Sequence, residues 1–260
     1  MTLFLHEMRR SRLSLIIWSA ALSFMLLICV IIYPEMKEQM GELSDMFANM
    51  GAFSDAFGME MLTGDFLSYF ALECGETLGI GGAIFAAIAG IGALAKEQRD
   101  RTAELLLTQP LSRSQAVTSK LLAVLAQLVI LNLSVIVVTL IGVAAIGETV
   151  DAAKMAWLFA SYFALQLEIA LLCFGISAFL RRGGIGIGLG LSLGFYFLNL
   201  LANLSEEVEF LRYATPFAYT NGTYILEHGA IEWKYLIIGT VLAVLGVVAA
   251  YAKYSKKDIL

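Results

Sequence analysis

The chain has 260 residues, of which 59% are hydrophobic and only 15% charged, with a formal net charge of −5. Soluble domains carry about 25% charged residues, so this composition, with a mean hydropathy of +0.80, excludes an ordinary soluble enzyme and points to the bilayer. The net charge says little, because the charges are segregated along the chain. No nucleic-acid partner is expected.

The first 12 residues mix Leu3, Phe4, Leu5 and Met8 with His6, Glu7, Arg9 and Arg10. This pattern predicts an amphipathic N-terminal helix lying on the inner leaflet; the plainer reading is a frayed tail carrying a topology signal. Six apolar runs follow, near 13–33, 70–95, 121–146, 157–180, 185–204 and 235–251. Each approaches the roughly 20 residues that cross about 30 Å of hydrocarbon. Backbone in lipid must satisfy its own hydrogen bonds, so these runs predict helices. The fold class read from the sequence is an all-α membrane protein with six transmembrane helices in a single domain, 1–260. The first run is too long for the apolar part of a signal peptide, and no small-x-small site follows it.

Arg9, Arg10, Arg12, Lys96, Arg99, Arg101, Arg113, Lys120, Arg181, Arg182, Lys253, Lys256 and Lys257 fall on one side of this arrangement. Only Lys37, Lys154, Arg212 and Lys234 fall on the other. The positive-inside rule then predicts that both termini are cytosolic. In the first outer loop, 34–65, Met36, Met40, Leu43, Phe47 and Met50 recur at helical spacing. They read as a cap packed on the spans or as an adaptable Met-rich surface near an exit. In the second outer loop, 205–234, Pro216 breaks any helix. The aromatic residues around it predict a segment dipping into the outer interface.

Cys29, Cys74 and Cys173 all lie inside predicted spans, where an odd number argues against a disulfide framework and for small apolar packing residues. No phosphate-binding loop of the G-x-x-x-x-G-K-[ST] type occurs, so the chain does not cradle ATP itself. No H-E-x-x-H or C-x-x-C occurs, and the two histidines, His6 and His228, fall on opposite sides of the membrane, so neither a metal centre nor a Ser-His triad is expected. Intramembrane proteolysis is therefore not expected.

The ionisable groups expected inside spans are Glu73, Glu76 and Glu168. A buried carboxylate is costly, so each is a candidate translocation-pathway residue. Alternatively, neighbouring helices satisfy them, or Glu73 and Glu76 reach outer water. Gly186, Gly190 and Gly194 recur every fourth residue in the fifth run. Such a stripe lets helices approach closely, within one chain or across a dimer interface. Between the second and third runs, residues 97–108 begin charged and end in Leu105, Leu106 and Leu107, with Pro110 as terminator. An amphipathic helix here would lie in headgroups or dock in a partner's groove.

The stretch from Lys96 to Arg113, KEQRDRTAELLLTQPLSR, resembles the signature that follows the second span in permease subunits of type-2 ABC exporters. The later Leu211-Arg212-Tyr213-Ala214-Thr215-Pro216-Phe217 is similar to the segment before their sixth span. Among these, the chain is similar to small stand-alone permeases of peptide and antibiotic exporters, including the phenol-soluble-modulin exporter type. It lacks the large outer domain of some relatives, and its first outer loop is longer than polysaccharide exporters usually show. The resemblance implies a bacterial cytoplasmic-membrane permease that carries amphipathic or hydrophobic cargo. It implies a second permease copy, as a homodimer or with a paralogue, and two cytosolic ATPase subunits that bind the ATP and Mg. It makes the charged loop a cytosolic coupling helix, with Glu97, Arg99, Arg101, Thr102, Glu104, Leu105, Leu106, Leu107, Pro110 and Arg113 facing the ATPase. A proton-coupled secondary transporter using Glu73, Glu76 and Glu168 is the alternative, although the repeats and broken helices usual in such folds are not evident.

Overall fold

The structure is a computed structural model that describes residues 2–48, 54, 64–99, 112–180 and 184–255. Its elements in chain order are α1 (Thr2–Ala48), α2 (Phe66–Cys74), a π-helical segment (Gly75–Gly82), α3 (Ala83–Arg99), α4 (Arg113–Ile146), α5 (Ala152–Ser177), α6 (Ile185–Leu204), two 3-10 stretches (Glu206–Ala214 and Ala218–Thr220), α7 (Gly222–His228) and α8 (Trp233–Ser255). No strand occurs among the described residues.

Among the described residues, six helices are long and apolar enough to cross a membrane: Leu3–Lys37, Phe66–Ala95, Arg113–Ile146, Ala152–Ser177, Ile185–Leu204 and Trp233–Tyr254. They are called spans 1 to 6 below, and each contains or overlaps a run expected from hydropathy. Their outward faces carry exposed Leu13, Ile16 and Phe24 on span 1, and Ile237, Val241 and Leu245 on span 6. Apolar side chains in such numbers on a surface need a hydrocarbon solvent.

Two details differ from the expectation. Residues 2–12 form no separate helix; they continue without a break into span 1. Pro34 sits inside the same helix, which runs on to Ala48 and takes in the start of the Met-rich stretch. The second span is also not uniform: eight residues in its middle are π-helical. Four of those eight are glycines, which give the backbone little reason to hold the tighter α turn.

Even-numbered crossing brings both chain ends to one end of the bundle. Thr118, near the start of span 3, is hydrogen-bonded to Tyr251, near the end of span 6, at 2.7 Å. There too the buried Lys120 of span 3 donates to Glu7 of α1 at 2.5 Å. This end is called the terminal end, and the opposite one the far end. Span 1 packs along span 3, and span 4 packs between spans 2 and 6. Spans 4 and 6 cross with no side chain between them: a methyl group at Gly175 would lie 2.6 Å from the Gly246 carbonyl oxygen. Close backbone approach of this kind is how helices gain dispersion contacts where lipid offers no hydrophobic drive.

Candidate translocation site

At the far end the chain between spans 5 and 6 turns back into the bundle. Residues 215–220 are all buried. Tyr162 donates to the Thr220 carbonyl at 3.3 Å. Tyr162 lies ten residues into α5, about 15 Å along its axis and half the thickness of a hydrocarbon core. The wedge therefore packs against the body of span 4.

Irregular backbone packed among spans must be satisfied by protein, and it is. The Thr215 hydroxyl donates to the Phe195 carbonyl of span 5 at 2.8 Å and accepts from the Phe217 N–H at 3.2 Å. The Thr220 hydroxyl donates to the Phe217 carbonyl at 2.8 Å. Phe217 meets Tyr196 of span 5 edge-on, with ring centroids 5.7 Å apart. Its ring also lies against Gly79 of the π-helical segment. Pro216 sits at the tip of the turn, where its missing N–H costs nothing.

Beneath the wedge lies Glu168, 3% exposed. Its carboxylate accepts from the Tyr219 hydroxyl of the wedge at 3.0 Å and from the Thr240 hydroxyl of span 6 at 3.0 Å. The pocket for this carboxylate exists because residue 239 is glycine: a methyl group there would sit 2.0 Å from Oε2. One acid thus ties together span 4, span 6 and the wedge.

Two residues before it on the same helix, Gln166 is fully buried. Its Oε1 accepts from Asn132 Nδ2 of span 3 at 2.6 Å, and its Nε2 donates to the Leu78 carbonyl at 3.4 Å. Leu78 belongs to the π-helical segment, whose wider turn redirects backbone carbonyls. Gln166 fills the space left by Gly82, where a methyl group would lie 2.2 Å from Nε2. The glycine cluster of span 2 therefore makes room for a side-chain partner that the α-helical ladder does not supply.

Glu73, Glu76 and Glu168 face three different neighbours. Glu73 accepts from the Cys29 thiol of span 1 at 3.2 Å, so Cys29 is more than packing. Glu76 accepts from the Tyr196 hydroxyl of span 5 at 3.3 Å. Cys74 and Cys173 are buried free thiols. Gly186, Gly190 and Gly194 meet nothing within 4 Å of an added methyl group, so the stripe does not serve packing among the described residues of its own chain.

Of the expected coupling residues, Glu97 and Arg99 lie in the last turn of α3. Arg101, Thr102, Glu104, Leu105, Leu106, Leu107 and Pro110 fall outside the described residues. Arg113 is the exposed first residue of α4. That helix starts on a full capping box: the Ser112 hydroxyl accepts from the Gln115 N–H, and the Gln115 side chain accepts from the Ser112 N–H. Two orphan donors are satisfied together, which gives the segment after the loop a defined start.

Sequence reasoning did not find Tyr219, Thr240, Asn132 or the Lys120–Glu7 pair. Asn132 and Gln166, both inside predicted spans, carried the available signal, as polar residues at a depth where polarity needs a partner.

No curated protein matches the chain closely enough to count as a relative. The family model described as ABC-2 family transporter protein matches residues 1–259, a range that contains all six spans, and the chain therefore belongs to the ABC-2 family of transporter membrane proteins.

Proposed function

We propose that the chain is the permease subunit of an ATP-driven exporter in a bacterial cytoplasmic membrane, with the terminal end in the cytosol. As a member of the family it is a multi-pass membrane transport component, and the family implies a partnering ATPase subunit. The family match over 1–259 is the observation that carries this reading. The helices flanking 97–113 support its finer part: α3 runs through Glu97 and Arg99, and α4 starts from a capped Ser112. Force applied to the intervening loop would enter two spans directly. Span 2 would carry it to the π-helical segment, which touches Gln166 and the wedge.

In this reading two permease copies meet through span 5, and two ATPase subunits hold the ATP and Mg. The cargo is an amphipathic peptide or a lipid-like molecule. Glu73, Glu76 and Glu168 are the polar points offered to it. Release requires that the cargo bind more weakly when the pathway faces outward. The proton-coupled alternative gains no support from three acids that face three separate neighbours.

The test is co-expression with an ATPase subunit encoded beside this chain. Reconstituted complex is expected to hydrolyse ATP faster when amphipathic peptides are added. Reversing both Arg99 and Arg101 to Glu is expected to abolish co-purification or to uncouple hydrolysis from cargo. Normal co-purification together with normal cargo stimulation in that variant would overturn the coupling assignment.

A further inference from the structure

Spans 3 and 4 form a hairpin joined at the far end by the turn 147–151, and its two arms enclose a groove of about 540 Å³. One wall is Val129, Leu133, Ile136 and Leu140 of span 3, spaced by 4, 3 and 4 residues so that all four face one way. The other is Ala152, Ala156 and Ala160 of span 4, one turn apart. The alanines are what hollow the groove: a Leu at those three positions would close it. Phe159 and Met155 line it as well and are buried beneath the surface. The one polar lining residue, Asn132, has its amide turned inward, donating to the Leu128 carbonyl at 2.9 Å and to Gln166. Both acceptors settle which end of that amide is nitrogen. Its Oδ1 is buried without a partner and so adds no accessible polarity to the groove.

We propose that this groove is a binding site for one acyl chain of a membrane lipid in the far-end leaflet. Three observations select that occupant. The groove is continuous with the lipid-facing surface, since Val129, Leu133 and Leu140 are exposed large apolar residues. It carries no charged lining residue. Its length, from Ala152 to Phe163 along span 4, is about 16 Å, which matches one leaflet of a roughly 30 Å hydrocarbon core. The chain would enter at the 147–151 turn and end beside Phe163 and Asn132. The groove selects the chain and leaves the headgroup in the interface.

The experiment uses the full chain in phosphatidylcholine–phosphatidylglycerol vesicles. They contain a trace of phosphatidylcholine bearing a diazirine near the end of one acyl chain, and adducts are mapped by mass spectrometry after illumination. Labelling across 129–163 is expected to exceed labelling around Ile237, Val241 and Leu245 of span 6 about tenfold. That factor corresponds to a preference of about 1.4 kcal/mol for the groove over the open face, supplied by packing contacts and not by removal from water. Ala156→Trp and, separately, Ala160→Trp are expected to lower it to the span 6 level. Moving the diazirine close to the ester should shift adducts toward Leu140 and Ala152. Equal labelling of the groove and span 6 in the unmodified chain overturns the proposal without reference to any variant. So does labelling that both folded Trp variants leave unchanged, or a cross-link showing a second copy seated in the groove.

Discussion

Glu168 and Gln166 lie two residues apart on one helix yet do different work. Glu168 accepts two hydroxyl donors from outside its own span, whereas Gln166 donates and accepts to bridge spans 2 and 3. Replacing Glu168 by Leu would leave both hydroxyls without their acceptor, at a cost of about 1–3 kcal/mol each. Glu168→Leu is therefore expected to lose folded protein in size-exclusion profiles from mild detergent. Glu168→Gln keeps the shape, and either hydroxyl can rotate to accept from the new amide. It should fold like the parent while losing cargo-stimulated ATP hydrolysis in the complex. If transport survives in Glu168→Gln, the residue is structural only. Gln166→Leu strands the Leu78 carbonyl and the Asn132 amide, and should lower thermal stability by about 1–3 kcal/mol. Gly239→Ala tests the same region by volume: a methyl group 2.0 Å from the carboxylate forces a repacking worth about 1–3 kcal/mol, read as a lower melting temperature.

At the scale of elements, the tie between α1 and span 3 rests on Lys120, whose side chain is 1% exposed, and Glu7, at 15%. Removing one member of a buried ion pair leaves the other uncompensated, at about 3–5 kcal/mol, whereas replacing both by apolar residues is often close to neutral. Lys120→Met alone should therefore destabilise the protein more than Lys120→Met combined with Glu7→Leu. The ordering of the three melting temperatures checks this, and a double variant worse than either single one would refute it. This tie explains why residues 2–12 stand as part of a long helix instead of lying flat. Their one acid has a buried cation to reach, and Leu3 is buried as well. Amphipathic composition alone does not distinguish these outcomes, because the deciding partner is 113 residues away.

For the whole molecule, the Gly186, Gly190 and Gly194 face of span 5 has no neighbour among the described residues within 4 Å of an added methyl group. In the dimer proposed above, Gly190→Leu should weaken association by about 1–3 kcal/mol through overpacking, seen as a larger monomer fraction. Cysteines placed at 186, 190 and 194 should cross-link between copies. Cross-links that form only from span 1 would reassign the interface.

Composition and hydropathy by themselves determined that this is a helical membrane protein of six spans, because a bilayer demands about 20 apolar residues per crossing and satisfied backbone within it. Those demands are local, so they are written in consecutive residues. The same local signal marked Glu168 as a costly acid and Pro216 as a break. Only the tertiary structure decided what each polar residue meets. Tyr219 lies 51 residues from Glu168 and Thr240 lies 72 away, and no periodicity connects them. It also decided that Gly82 of span 2 makes room for Gln166, and that Gly188 of span 5 packs on Ala87 and Ile91 while Gly186, Gly190 and Gly194 meet no described neighbour. Small residues permit close approach without naming a partner; the partner is set by how the helices pack.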